Sequence, residues 1–467
     1  MAIAINDKKV TWSWTMYDWA NSVFSLTIAT AIFPPYYQAV TKSAAIAAGS
    51  DPNGPYYLDL FGVPTLASAL YSYSLSLGFL LVTLFTPILS GIADSRGNKK
   101  SFMKFFCYMG SLSCIGMYFF DANSIPLGVM LFVFSLFGFG GSIVFYNAYL
   151  PEIASKDQFD RLSARGFSMG YIGSVILLVI NLITIMFPQW FFPVQSMADE
   201  LVRSGKDVAI AMEDAKSHYV TVASKLSFVS VGLWWMGFAQ IPFKFLPNGT
   251  AQAKSSENAI SKGWHELQKV FKEIQNNNAN NHLKRFLWGF FFTSMGVQTV
   301  LYVASLFGSN ELHMPTQALI ITVLIIQFIA ILGAWGFSRI SEKIGNIYSL
   351  LIMIVVWVII CVLAYFVTSA EQFYGLAALV GIVMGGIQSL LRSTYAKLIP
   401  ENTPDHASYF SFYDVTEKLS IVLGTFSYGF LLNMTGSMRA SIIALIIYFL
   451  IGLTFMVRIK NFKTAQA

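Results

Sequence analysis

The sequence predicts an all-α polytopic membrane protein, with twelve transmembrane helices arranged as two pseudo-symmetric six-helix bundles. Composition, the length of the apolar runs and an internal repeat predict this. The 467 residues are 55% hydrophobic and 16% aromatic but only 12% charged, with a mean hydropathy of +0.59, whereas soluble domains are about a quarter charged. A span needs about 20 apolar residues. Runs of that kind lie near 14–38, 65–92, 101–120, 125–149, 167–193, 219–245, 285–308, 316–338, 348–368, 373–398, 409–432 and 439–457. Two short motifs recur roughly 250 residues apart, as expected of repeated halves. Asp94-Ser95-Arg96-Gly97-Asn98 returns as Glu342-Lys343-Ile344-Gly345-Asn346, and Leu150-Pro151-Glu152 as Ile399-Pro400-Glu401, each in a short charged loop.

Taken in order, the first apolar run is longer than the core of a signal peptide and carries a polar cluster, so it reads as a retained first span. A loop at 41–63 follows it, longer than its counterpart at 308–315, and this shifts the repeat offset early in each half. An insert at 194–218 carries Asp199, Glu200, Glu213 and Asp214. The halves are then 1–246 and 285–467, joined by a polar segment at 247–284. Within that segment Trp264, Leu267, Val270, Phe271 and Ile274 recur at helical spacing between lysines. The pattern fits an amphipathic helix, either on the membrane surface or packed beneath the bundles. The asparagine-rich stretch at 276–281 reads as flexible.

Basic residues set the expected orientation. Lys8 and Lys9, the loops around Arg96 to Lys104, Lys156 to Arg165 and Lys244 to Arg285, then Arg339, Lys343, Arg392, Lys397 and the last residues all fall on one side. The other side holds Lys42, Arg203, Lys206, Lys216, Lys225 and Arg439. The asymmetry places both termini in the cytoplasm and requires an even number of spans. The net charge of +6 therefore reads as topology and gives no sign of a nucleic-acid partner. Cys107, Cys114 and Cys361 lie inside apolar runs, without a disulfide or zinc pattern.

The segment from Gly91 through Asp94, Arg96 and Gly97 to Lys99 and Lys100 joins the second and third spans. Glycine permits a tight turn where two helices crowd. The Asp94 carboxylate can bind a neighbouring helix N-terminus or Arg96. The segment resembles the major facilitator superfamily signature. The second copy, with Glu342 and Gly345, has Arg339 in place of the leading glycine and Ile347 in place of the first lysine. Four further motifs run in order: Met16-Tyr17-Asp18-Trp19-Ala20-Asn21-Ser22, Tyr146-Asn147-Ala148-Tyr149-Leu150-Pro151-Glu152, Gly385-Gly386-Ile387-Gln388-Ser389-Leu390-Leu391-Arg392 and Phe410-Ser411-Phe412-Tyr413-Asp414. With them the chain is similar, over nearly its whole length, to the vacuolar amino-acid effluxer-like branch of that superfamily, whose bacterial members are called the unknown major facilitator group. The resemblance implies a transporter, and its eukaryotic members imply amino-acid efflux.

Particular residues carry the expected chemistry. A carboxylate within a span is costly unless paired or hydrated, so Asp18 carries a proton, pairs with a cation on another helix or reaches a helix terminus. Asp414 and Lys418 share a helix face and can pair with each other. Arg392 can hold a substrate carboxylate, or pair with Asp18 or Asp414. Asn181, Gln298, Gln327 and Gln388 lie near mid-span, and with Asn21 and Arg392 they form the expected cavity. Amides both donate and accept, which suits small polar or zwitterionic solutes, but they also bind helices to one another. The expected gating and coupling set is Asp18, Gly91, Asp94, Arg96, Gly97, Lys99, Glu342, Gly345 and Asp414.

All five histidines fall in loops or at span ends, against a mid-membrane histidine relay. No His-Glu-x-x-His site or phosphate loop exists, and no clustered catalytic set points to an enzyme. The expectation is a cofactor-free, monomeric secondary transporter in a bacterial inner membrane. It would move small polar solutes, with proton coupling as one possibility. A permease for muropeptides or sugar phosphates and a non-transporting receptor or scaffold are the alternatives.

Overall fold

The computed structural model describes residues 5–50, 57–60, 63–248, 259–276, 281–312, 314, 316–400, 403, 405–435 and 438–459. Among them run twelve long helical segments. Span 1 continues from Lys8–Val23 through a π-helical stretch, Phe24–Ile32, into Phe33–Ala47. Spans 2 to 6 are Ala67–Arg96, Lys99–Gly116, Ile125–Ala148, Phe159–Met186 and Val208–Phe238. Spans 7 to 12 are Asn281–Asn310, Thr316–Ile344, Asn346–Phe366, Ala370–Leu398, His406–Thr435 and Met438–Val457.

Seven of the described helices are apolar enough to cross a bilayer by composition alone. Spans 1, 7 and 11 carry Asp18, Gln298, Glu417 and Lys418 toward the space between the halves. The outer surface is apolar along helical stripes: Leu77, Leu80 and Leu84; Ile176, Ile180 and Ile183; Phe328, Leu332 and Trp335 are all exposed. A soluble protein would bury such rows. Here they face lipid, which makes the chain an integral multi-pass membrane protein.

The two halves repeat the same packing. Span 1 lies on span 5 as span 7 lies on span 11, span 2 on span 4 as 8 on 10, and span 3 on span 6 as 9 on 12. The halves meet crosswise, span 5 against spans 8 and 10, and span 11 against spans 2 and 4. Glycine lets several of these helices approach closely. At Gly385 an added Cβ would sit 2.0 Å from the Ala330 carbonyl oxygen, and at Gly333 it would sit 2.1 Å from that of Ile382.

The connections hold more structure than their polarity suggests. The loop after span 1 begins as helix to Ala47 and carries a hairpin pairing Tyr57–Leu60 with Val63–Leu66. The 194–218 insert forms the helix Val194–Arg203, whose Val194 and Ala198 pack against Ala215 at the start of span 6. The central segment forms the helix Ala259–Asn276, which packs beneath the bundles against spans 2, 7 and 11. Its Val270 and Ile274 are buried, and Lys269 pairs with Asp405 at 2.8 Å. Of the asparagine-rich stretch, residues 277–280 lie outside the described residues, as does Glu401 of the repeated Pro-Glu motif.

Candidate transport cavity and its closed face

One end of the molecule carries the start of span 1, the loops joining spans 2–3, 4–5, 8–9 and 10–11, and the central helix. This terminal face is closed by two crossed clasps. In the first, Asp94 at the end of span 2 accepts from the Ala407 and Ser408 N–H groups, at 3.2 and 2.7 Å, in the opening turn of span 11. Unpaired N–H groups and the helix dipole make that turn an anion site. Lys99 lies 3.2 Å from Asp94 and also bonds Glu152, which in turn meets His406 at 3.1 Å.

The second clasp reverses ownership. Span 5 opens with Asp160, which accepts from Lys397 Nζ at 2.7 Å, Asn346 Nδ2 at 2.7 Å and Ser341 Oγ at 3.0 Å. Beside it Arg161 donates twice to Glu342, at 2.5 and 3.0 Å. Each clasp turns on a glycine in the left-handed region, Gly97 at φ 62° and Gly345 at φ 92°, where a Cβ would strain the backbone.

Above this closure a cavity of about 370 Å³ lies between the halves, within the usual range for small-molecule pockets. Its lining follows span 10 from Arg392 to Phe373 and span 7 from Phe290 to Phe307, away from the terminal face. The walls are largely apolar and the floor is polar. Asp18 Oδ2 accepts from Arg392 Nη1 at 3.1 Å, Arg392 Nη2 at 3.2 Å and the Tyr146 hydroxyl at 2.7 Å. Arg392 also donates to the Ser163 hydroxyl and carbonyl oxygens, at 2.9 and 2.8 Å. Its guanidinium carbon lies 4.2 Å from the Phe167 ring centre and 4.9 Å from that of Trp14. Span 5 comes this close because Gly166 and Gly170 face span 1, where added Cβ atoms would sit 2.4 Å from Asp18 Oδ2 and 2.4 Å from Ser22 Oγ.

A second polar group occupies the C-terminal half. Gln298 donates to Glu417 at 3.2 Å, and Lys418 lies 3.1 Å from Glu417 and 3.6 Å from Asp414. Gln298, Glu417 and Lys418 line the cavity, and Asp414 is buried beside them. Across the floor the Tyr171 hydroxyl donates to Gln388 at 2.7 Å.

The structure thus brings Asp18, Asn21, Gln298, Gln327, Gln388 and Arg392 to one cavity. Asn181 is not among the lining residues: its side chain accepts from Ser230 at 3.1 Å and ties span 5 to span 6. Of the loop residues, Asp94 finds the helix terminus and Lys99, while Arg96 is exposed and Gly91 is buried in the last turns of span 2. Sequence reasoning missed Asp160, Ser163 and Tyr171, and gave no site role to Glu417 or His406. It also missed the Gly166–Gly170 contact, although small residues four apart in an apolar helix are a recognised packing signal.

Twelve spans, two repeated bundles and a central polar-floored cavity define a major facilitator superfamily transporter, a class that is not enzymatic. The chain belongs to the family described as vacuole effluxer Atg22 like, whose model matches residues 6–467. It is 29% identical over 442 residues to the uncharacterized MFS-type transporter YxiO of Bacillus subtilis (strain 168), covering 94% of this chain and 92% of YxiO. It is 26% identical over 450 residues to autophagy-related protein 22 of Gibberella zeae, covering 84% of this chain and 68% of that protein. In fold it is similar to the transporter FucP in its outward conformation, with a TM-score of 0.64 at 10% identity, over 98% of this chain and 99% of FucP. The human organic anion transporter MFSD10 gives a TM-score of 0.65 at 10% identity, over 97% and 100%.

Proposed function

We propose that the chain exports small polar solutes, amino acids foremost, across a bacterial inner membrane, with its termini and its closed face in the cytoplasm. The observation that carries this reading is the cavity floor. Cationic and anionic side chains stand together there among amides, beneath apolar walls, at the junction of two halves clasped on one face. A zwitterion meets both of its charges in such a site, and an apolar side chain meets the walls. Highly anionic cargo such as a sugar phosphate is less well served, because Arg392 and Lys418 each already face a carboxylate. The description of the family as vacuole effluxers supports transport of a solute across a membrane.

Residues 1–246 would rock against 285–467 about this floor, with 247–284 as the connecting segment. Release of the Asp94 and Asp160 clasps would open the cytoplasmic face. The carrier works as a monomer without a resident cofactor, driven by gradients, and Asp18 or Asp414 would carry the proton if transport is proton-coupled. The test is efflux from proteoliposomes loaded with mixed amino acids and metabolites, read by mass spectrometry with and without a proton gradient. Selective loss of a few amino acids is expected; movement of none of them by folded protein would refute the reading.

A further inference from the structure

The partners of Arg392 share one property. Asp18 and Trp14 belong to span 1, Tyr146 to span 4, and Ser163 and Phe167 to span 5, so the N-terminal half supplies its hydrogen-bond and ring partners among the described residues. The C-terminal half contributes the guanidinium itself, with Tyr413 of span 11 near it. The result is a socket and a plug. Three acceptor atoms (Asp18 Oδ2, Ser163 Oγ and Ser163 O) meet the guanidinium edge at 2.8 to 3.2 Å. Phe167, Trp14 and Tyr146 place ring centres 4.2, 4.9 and 5.6 Å from its central carbon. A planar, delocalised cation with several donors matches this better than a proton or a compact metal ion, because rings and acceptors are satisfied together.

We propose that this socket is the binding site for the cationic group of a substrate, a guanidinium or primary ammonium, and that Arg392 is a built-in competitor that displaces it when the terminal face closes. The proposal rests on the alternating-access reading and names the substrate class within it: basic amino acids and similar organic cations. Rocking must withdraw span 10 from spans 1, 4 and 5, leaving Asp18 a buried carboxylate without its cation. A cation from solution then enters from the open face. On closure Arg392 returns to Asp18, and the displaced cation is left in the cavity, beside Glu417 and away from the terminal face. Both Asp18 and Arg392 line the cavity, so the path from socket to cavity is direct.

Removing the plug should open the socket in the resting protein. L-arginine binding to Arg392→Met, which keeps an unbranched apolar stem against the rings, is measured by calorimetry in detergent beside wild type. Binding at least tenfold tighter in the variant is expected, with L-citrulline, the neutral isostere, at least tenfold weaker than L-arginine. Adding Asp18→Asn should abolish the gain. Equal binding by variant and wild type, equal binding of citrulline, or a gain that survives Asp18→Asn would each overturn the proposal. If Arg392→Met does not fold, wild-type counterflow decides: L-arginine must exchange, and citrulline must exchange at least tenfold more slowly. Neutral amino acids moving in wild-type vesicles while neither assay responds to L-arginine would sink the socket and leave the transport reading standing. Vesicles that move no amino acid at all while the variant still binds L-arginine would do the reverse.

Discussion

Replacing Asp94 by Asn tests the contribution of one carboxylate to closure of the terminal face. The side chain keeps its size, but one carboxylate oxygen becomes an amide NH2 donor, so of the bonds from Ala407 and Ser408, at 3.2 and 2.7 Å, one is lost and the other becomes neutral. Hydrogen bonds to charged groups contribute about 1.5–3 kcal/mol, against about 0.5–1.5 for neutral pairs. Losing one charged bond and weakening the other costs about 2.5–4.5 kcal/mol. The Lys99 pair adds little, because Lys99 keeps Glu152. At about 1.4 kcal/mol per decade the closed-to-open ratio should fall at least about 60-fold. The readout is a cysteine at Ala396, which is 2% exposed and lines a crevice between the halves with Pro151 and His406. With Cys107, Cys114 and Cys361 replaced by serine, a membrane-impermeant maleimide applied to the terminal face should label Ala396→Cys faster by that factor in the Asp94→Asn background. Arg96→Ala, at an exposed position, should leave the rate unchanged. Labelling within threefold of the parent, in monodisperse Asp94→Asn protein, would refute the clasp argument.

Three further outcomes follow from the same contacts. Gly166→Ala places a Cβ 2.4 Å from Asp18 Oδ2 and 2.9 Å from Arg392 Nη2, so it should lower stability by about 1–3 kcal/mol through overpacking. Thermal unfolding in detergent should show this loss, and not for Gly237→Ala, which has open space around it. Lys397→Met should cost about 3–5 kcal/mol by stranding Asp160, and the double change with Asp160→Asn should recover part of that loss; equal melting temperatures for single and double variants would contradict a paired burial. Tyr171→Phe removes one neutral hydrogen bond to Gln388 and should change stability by about 1 kcal/mol, with any larger effect on flux pointing to Gln388 contacting the solute.

The fold was legible because a bilayer imposes its own ruler on the sequence. Each span needs its apolar length, and the repeated loop motifs mark where the halves correspond. The site was only partly legible. Asp18 and Arg392 are expensive inside a membrane and so declare themselves, and their pairing was one of a few arrangements available. Asp94 likewise had a helix terminus among its expected partners. Asp160 gave no such signal, since an acidic residue in a charged loop at a helix start is ordinary, and only the approach of span 10 makes it the centre of a clasp. Asn181 misled for the opposite reason: a mid-span amide looks the same whether it faces a cavity or Ser230 on the neighbouring helix. The central helix was ambiguous between membrane surface and bundle because its apolar stripe suits both. Lys269 to Asp405 and Glu273 to Tyr409, at 2.8 and 2.7 Å, anchor it to the protein.

The charges around the cavity also fix how the carrier meets a membrane voltage. In their ordinary ionic forms Asp18, Asp414 and Glu417 stand against Arg392 and Lys418, an excess of one negative charge. A charge moved across the full membrane field gains or loses about 2.3 kcal/mol per 100 mV. An empty carrier that reorients with this surplus feels the voltage, and one loaded with a single monovalent cation does not. The electrical work of each cycle then falls on the unloaded return, so an inside-negative potential would bias which way the empty carrier faces, and with it both the turnover rate and the apparent affinity for cargo.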